Sequence, residues 1–411
     1  MAGERNQPGS MPGKTRKSEG DMTNKEWWYQ LFANKRTVSD SSRFTASSAS
    51  ESCADTDHGV IWSTYLASEQ NYGETRDSVI LARIPVNQPE KTQTIDVVKK
   101  GVVIDGITYN EFLDCNAYLW HSEEYKTVKT HFGETGPVYH AFVRVIFLAC
   151  PEDYFYTDYD TETGTFTPIR RLQICFDGKT QPLTGTAYVE YMKSRGLSGQ
   201  HGSGDAGESV ILTDKLRLLP DGYRYTFATA NGTQPVFLRV KDHDDTFEVL
   251  GHIPVEGEYE TQSAYLNGTF YAIVRSVSAE AEYGAANFWT SEDNGKTWQP
   301  GCRVEFAGTR PQCLPYDGKL LVAYSVCGVE PNLVRDGRNN CRLVMGEGPD
   351  LSGYKEIFFV ADPRGMVYYD IVDYNKDLYA IWSDASLHLD KNPQAKDVLH
   401  MAKIGDLRFI Q

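Results

Sequence analysis

One hairpin, written again and again along the chain, limits what this sequence can fold into more than any other feature. An alternating strand runs into a turn carrying Gly, Asn or Asp, and a second strand rich in Leu, Val, Tyr and Ala runs back. It appears as LRLLPDGYRYTFATA around Asp221-Gly222, QSAYLNGTFYAIVRS around Asn267-Gly268, QCLPYDGKLLVAYSV around Asp317-Gly318 and DIVDYNKDLYAIWSD around Asn375. The turn dipeptides supply the positive φ that two-residue hairpins need, and period-2 alternation marks the strands. Successive turns are about 46 to 58 residues apart, the length of one four-stranded propeller blade. An earlier copy turns near His58-Gly59, and Asp114 to Cys150 reads as a hairpin with a long loop. Six modules predict an all-β fold: a six-bladed β-propeller of four-stranded antiparallel blades.

The 411 residues suit one large domain of this kind, because propellers exceed the usual domain size. Residues 23–411 are expected to form that domain, and residues 1–22, polar and rich in Gly and Lys, a disordered tail. The expected helix spans about 24–34, where Thr23 and Glu26 stand in capping-box spacing ahead of Trp27, Trp28 and Leu31. The run Thr186 to Glu208 reads as a connection ending in a Gly/Ser-rich loop with His201. Lys plus Arg total 41 against 56 Asp plus Glu, a net charge of -15, which argues against nucleic acid or an anionic membrane as a partner. Any anion must therefore be held in a local basic pocket. No apolar run reaches a membrane span or a signal core, so the default location is cytoplasmic. Eight scattered cysteines without a C-x-x-C pair read as buried thiols, and no metal or organic cofactor is expected. The sequons at Asn231 and Asn267 fall in expected tight turns.

Ser291 to Trp298 reads S-x-D-x-G-x-T-W. Here Asp293 can bond the turn amides, Asn294-Gly295 can make the turn, and Trp298 can fold back over it. This pattern resembles the Asp-box of the sialidase superfamily. The neighbouring segments carry the resemblance from about residue 40 to 400. EYETQSAYLNGTFYAIVRS is similar to the family segment in which a catalytic glutamate opens a hairpin and an arginine closes it, which implies Glu260 and Arg275, with Glu258 as the rival glutamate. GRNNCRLVMG resembles the strand carrying the last arginine and implies Arg338. VYYDIVDYNKDLYAIWS resembles the final tyrosine motif and implies Tyr368, with Tyr369 the alternative. SSRFTAS stands where the family has its first arginine and implies Arg43, although Ile-Pro is missing there. The literal Arg83-Ile84-Pro85 falls at a strand end and is taken as a decoy. The end of the last hairpin reads WSD where many relatives carry Tyr-Glu.

The implied activity is that of a retaining exo-α-sialidase acting on a sialylated glycan. Sialic acid bears a carboxylate on its anomeric carbon, and Arg43, Arg275 and Arg338 would grip it through paired planar hydrogen bonds. A carboxylate nucleophile would be repelled by that group. A tyrosine avoids the repulsion once a base takes its proton. Tyr368 is the expected nucleophile and Glu260 its base. The expected acid is Asp77, immediately before the apolar run Val79 to Leu81, with Glu74 as the alternative. Two other functions remain: a propeller glycosidase or lyase acting on another acidic sugar, and a carbohydrate-binding propeller without catalysis.

Overall fold

The computed structural model describes residues 34–40, 42–47, 51–68, 76–129, 135–150, 153–197, 211–229, 234–255, 258–276, 286–304, 309–325, 340–346, 351, 353–361, 368–383 and 398–407. The helix expected at 24–34, like the tail before it, lies outside them.

The fold is all-β and forms a β-propeller. In the first sheet, Val60–Ser68 pairs with Ser78–Pro85 and that with Gln93–Lys99, while Phe44–Ser47 and Ser52–Asp55 share the other edge of Val60–Ser68. The second sheet is built on the long hairpin Phe112–Lys129 and Thr135–Ala149, followed by Asp153–Asp160. The fourth sheet runs Glu258–Leu266, Thr269–Ser276, Ala286–Ser291, Gln299–Val304, and the fifth Thr309–Tyr316, Lys319–Ser325, Asn340–Met345, Lys355–Ala361. In the sixth, Tyr368–Tyr374, Asp377–Ser383 and Leu399–Gly405 are completed by Arg36–Thr37 from the other end of the chain, with Arg36 opposite Met401. The fourth, fifth and sixth sheets are the expected four-stranded meanders, whereas the first and second each carry a fifth strand beside the meander.

The third sheet departs from the four-stranded expectation. Its meander of Tyr223–Thr229, Val236–Lys241 and Thr246–His252 has Ile211–Leu212 and Arg217–Leu218 on its inner edge. On its outer edge Gln173–Phe176 joins in parallel and brings Lys179–Pro182 with it, making seven strands. A helix over Gly185–Ser194 follows, where the sequence suggests only a connection. Thr184 caps it by accepting from the Ala187 amide at 3.1 Å, and Tyr188, Tyr191 and Met192 are buried along one side. Its Tyr and Val content hid the helix from propensity, and burial against the second and third sheets stabilises it. No described helix is long and apolar enough to cross a membrane.

The core is divided among the junctions between sheets. Trp62 and Leu81 meet Phe112 and Val143; Ile146 and Tyr154 meet Leu212 and Leu238; Phe227 and Phe237 meet Phe270 and Trp298. Ile273 meets Val322, Leu321 meets Ile371, and Ile381 closes the circuit against Ile61. Each sheet is thus covered on both faces. That is why a strand such as Val60–Ser68 is buried at every position instead of every second one.

The hairpin turns behave as their residues demand. Asn267-Gly268 (φ 52° and 89°), Asp317-Gly318 (48° and 73°) and Asn375-Lys376 (53° and 73°) all hold two consecutive left-handed residues. At Asp221-Gly222 only the glycine is left-handed, at 81°. The hairpin Ser291–Trp298 is closed by its own side chains. Asp293 accepts from the Thr297 amide at 2.9 Å and the Thr297 hydroxyl at 2.7 Å, and Trp298 Nε1 donates to the Gly295 carbonyl at 3.1 Å. Burial pushes the Asp293 carboxyl up, but the bonds from Thr297 and Ser291 outweigh this and hold it below the usual range.

Candidate functional site

The first strand of each sheet faces the common axis, and there the polar side chains collect. A concavity of about 480 Å³, its open mouth included, lies among these strands. Every sheet contributes to its wall: Glu51 from the first, Asp114 and Asn116 from the second, Thr213 from the third. The fourth gives Glu260 and Gln262, the fifth Gln312, and the sixth Tyr369.

Hydrogen bonds between neighbouring inner strands fix this ring. The Ser52 amide donates to Asp370 at 2.6 Å, joining the first sheet to the sixth. Thr213 Oγ1 donates to the Thr261 carbonyl at 2.9 Å, and the Ser263 amide to Asp214 at 2.9 Å, joining the third to the fourth. Gln312 spans the fifth and sixth, donating to the Tyr369 carbonyl at 2.9 Å and accepting from the Ile371 amide at 2.8 Å. Lys215 reaches across from the third sheet, pairing with Asp370 and donating to the Ile371 carbonyl at 3.0 Å. Buried carboxylates need such partners.

The partners are not sufficient for all of them. Burial raises the Asp214 carboxyl to about 6, against the pull of Arg217 and the Ser263 bonds. Glu51 is raised well above the usual range, first by burial and then by Asp214, Asp370 and Asp114, with Lys215 opposing. Glu51 Oε2 and Gln262 Oε1 are buried without a hydrogen-bond partner. Among the described residues, no group of three His, Cys, Asp or Glu side chains could hold a metal ion.

The residues implied by sequence fall into two groups. Glu260 lines the cavity, and Arg275 Nη1 donates to its Oε2 at 3.0 Å. Arg43 and Asp77 meet at the first sheet instead. Arg43 pairs with Asp96 and donates to Ser78 Oγ at 2.8 Å, while Ser78 Oγ donates to Asp77 at 3.0 Å. Asp77 is 1% exposed, lies 3.5 Å from Lys100 Nζ, and neither it nor Arg43 lines the cavity. Its neighbour Arg76 donates to the Leu113 carbonyl at 3.3 Å, one residue from Asp114. Tyr369 lines the cavity and also belongs to the apolar junction with Leu314, Cys341 and Leu343. Tyr368 opens the same strand, and its side chain lies outside the described residues, as do those of Glu258, Arg338 and Glu74. Arg83 stands over the Trp62 ring at 6.0 Å.

Sequence reasoning missed the axial carboxylates Glu51, Asp114, Asp214 and Asp370, together with Lys215. A signal existed for part of the ring. Gln262, Gln312 and Asp370 each stand five residues before their turn residue, Asn267, Asp317 and Asn375. A polar residue at one fixed offset in an otherwise apolar repeat marks an axial position. Glu51 has no such marker, because the first module turns differently.

No protein-family model matches the chain, and no curated protein matches it in sequence. Solved structures do. A protein of unknown function from Dyadobacter fermentans is 11% identical with a TM-score of 0.56, over 90% of this chain and 97% of that one. Trypanosoma rangeli sialidase in complex with sialic acid is 11% identical with a TM-score of 0.54, over 90% of this chain. The chain has a sialidase-like fold. The NanB sialidase of Streptococcus pneumoniae agrees, at 13% identity and a TM-score of 0.51, over 92% of this chain and 71% of that one. This chain spans only 57% of the length of the Trypanosoma sialidase.

Proposed function

We propose that this protein is a six-bladed propeller, with the seven-stranded sheet as its enlarged third blade, and a glycoside hydrolase of the sialidase kind. In this proposal it is a retaining exo-α-sialidase that removes terminal sialic acid from a glycan through a tyrosine nucleophile. The observation that carries the proposal is Glu260, paired with Arg275 and lining the axial cavity at whose wall Tyr368–Tyr374 begins. The Trypanosoma neighbour, named as a complex with sialic acid, supports the same substrate class, and the Ser291–Trp298 hairpin has the residues of an Asp-box.

The roles follow from charge. Arg275 Nη1 stands 3.0 Å from Glu260 Oε2, and Glu260 is the base that takes the proton of the phenol in this proposal. Tyr368 is the nucleophile of the proposal, because the Tyr369 ring is already committed to the apolar junction. Arg275 and Arg338 hold the substrate carboxylate, and Arg43 would have to exchange Asp96 and Ser78 for it. The leaving oxygen needs a proton. Asp77 is the donor the sequence offers, and it would have to leave Ser78 and Lys100 to reach the cavity.

A second reading is favoured by one observation: the described cavity wall carries three carboxyl side chains and no Lys or Arg. Such a wall suits an uncharged sugar better than an anionic one. A fluorogenic sialoside compared with uncharged aryl glycosides separates the two. The proposal expects turnover of the sialoside, and Tyr368→Phe is expected to lower kcat by at least about a hundredfold while the substrate still binds. Normal turnover by that variant would remove Tyr368 from the mechanism, and cleavage of uncharged glycosides alone would favour the second reading.

A further inference from the structure

The axial cavity holds more carboxyl groups than the nucleophile's base requires, and they are not equivalent. Glu260 faces Arg275. Asp114 accepts from the Tyr154 hydroxyl at 3.4 Å, and that hydroxyl in turn accepts from the Leu212 amide at 2.9 Å. Both are thereby supplied with a donor. Glu51 is different. It lines the same cavity, is 6% exposed, and its Oε2 has no hydrogen-bond partner. A buried carboxylate oxygen left without a donor is costly, whereas a carboxylic acid needs none.

The charged groups around Glu51 are three carboxyl groups and one lysine. From the second sheet it meets Asp114, from the third Asp214 and Lys215, and from the sixth Asp370. Lys215, which opposes them, is itself paired with Asp370. Burial first, and then the Asp214, Asp370 and Asp114 carboxyl groups, raise the Glu51 carboxyl well above the usual range, with Lys215 opposing.

We propose that Glu51, facing the axial cavity that Glu260 also lines, is the proton donor to the departing glycosidic oxygen. This rests on the hydrolase reading above. As the anomeric C–O bond breaks, its electron pair leaves with the oxygen, which takes the Glu51 proton. Tyr368 oxygen forms the new bond to the anomeric carbon and gives its own proton to Glu260. In the second half, water attacks that carbon and gives a proton to Glu51, while the bond to Tyr368 breaks, its electron pair stays on the phenol oxygen, and that oxygen takes its proton back from Glu260. Glu260, facing Arg275, and Glu51, buried with Oε2 unbonded, thus stand in unlike surroundings on one cavity, as a division of base and acid roles requires.

The experiment compares wild type, Glu51→Gln and Asp77→Asn on methyl α-sialoside and 4-methylumbelliferyl α-sialoside. The aryl group leaves without protonation; the methoxy group does not. Glu51→Gln is expected to lose about a hundredfold or more in kcat/KM on the methyl glycoside, only a few-fold on the aryl one, and the alkaline limb of its pH profile. An equal loss on both substrates, no loss at all, or the leaving-group signature in Asp77→Asn instead would overturn the assignment. Infrared difference spectra of wild type against Glu51→Gln at pH 7 supply a second readout, expected to show the carbonyl stretch of a protonated carboxyl group. Without that band Glu51 is no acid. Should wild type cleave neither sialoside while the band is present, the sialidase reading fails and the protonated Glu51 stands.

Discussion

At the scale of single residues, the turns show where this sequence obeys local rules and where it does not. Of the module turns at Asn267, Asp317 and Asn375, each with two left-handed residues in a row, two use Asn-Gly or Asp-Gly, as such turns favour. The third uses Asn375-Lys376, with Lys376 at φ 73°. A side chain there costs about 1–2 kcal/mol, and glycine's extra freedom in the unfolded chain returns part of that. Both anchors of Lys376 are main-chain groups: its amide donates to Asp373 at 2.8 Å and its carbonyl accepts from Tyr316 at 2.9 Å. Lys376→Gly keeps both, so the denaturation midpoint is expected to rise by the equivalent of about 0.5–1 kcal/mol. A fall would show that the lysine side chain contributes more than its backbone strain removes. The same turns made the modules legible, because the preference for Asn, Asp and Gly at left-handed positions is local and leaves its mark in the sequence.

At the scale of the element, the hairpin Ser291–Trp298 was legible as a closed unit but not as a docking piece. Its internal bonds join residues at most four apart. What fixes it to the rest is contact with the third sheet. A Cβ on Gly295 would stand 2.0 Å from Phe237, and one on Gly251 2.5 Å from the Lys296 carbonyl. Gly295 also holds φ 81°, so Gly295→Ala meets strain and collision together, whereas Gly268 at φ 89° has open space around it. Gly295→Ala is expected to cost roughly 3 kcal/mol or more, and Gly268→Ala about 1–2 kcal/mol. Equal losses in urea unfolding would mean that the hairpin does not seat against Phe237. The helix Gly185–Ser194 makes the converse point. Its weak local preference concealed it, and only the buried positions Tyr188, Tyr191 and Met192 explain why it forms.

At the scale of the whole molecule, closing the ring brings acidic groups from separate sheets into one buried place. Asp214 is the clearest case, with its carboxyl raised by burial from 3.8 to about 6. Between those values the folded protein keeps a proton that the unfolded chain has released, so stability falls as pH rises through that window. Asp160 acts in the opposite sense at lower pH. Its carboxyl is held down at about 2 by the Thr163 and Glu162 amides and by His140, against the effect of burial. Its contribution is present above the unfolded value and is lost as pH falls towards 2. Asp214→Asn is expected to gain in Tm relative to wild type between pH 5 and pH 7.5. A Tm difference that stays the same at both pH values would mean that Asp214 is not protonated in the folded state.

The sequence by itself determined the strands, their turns, their grouping into modules and the all-β class, since each depends on residues close together in the chain. It also singled out Glu260 and Arg275, which bracket one hairpin and so meet by register, with Thr261 opposite Val274. Only the tertiary structure decided that Glu51, Asp114, Asp214 and Asp370 share an axis. Apart from Asp370 they stand at no fixed offset from a turn, and the raised carboxyls of Glu51 and Asp214 come from burial created by the neighbouring sheets. Nor could local pattern reveal the two strands added to the third sheet, or the N-terminal strand that completes the sixth. Those pairings join segments far apart in the chain, and the hydrogen bonds that hold them belong to the backbone, which is the same whatever the side chains.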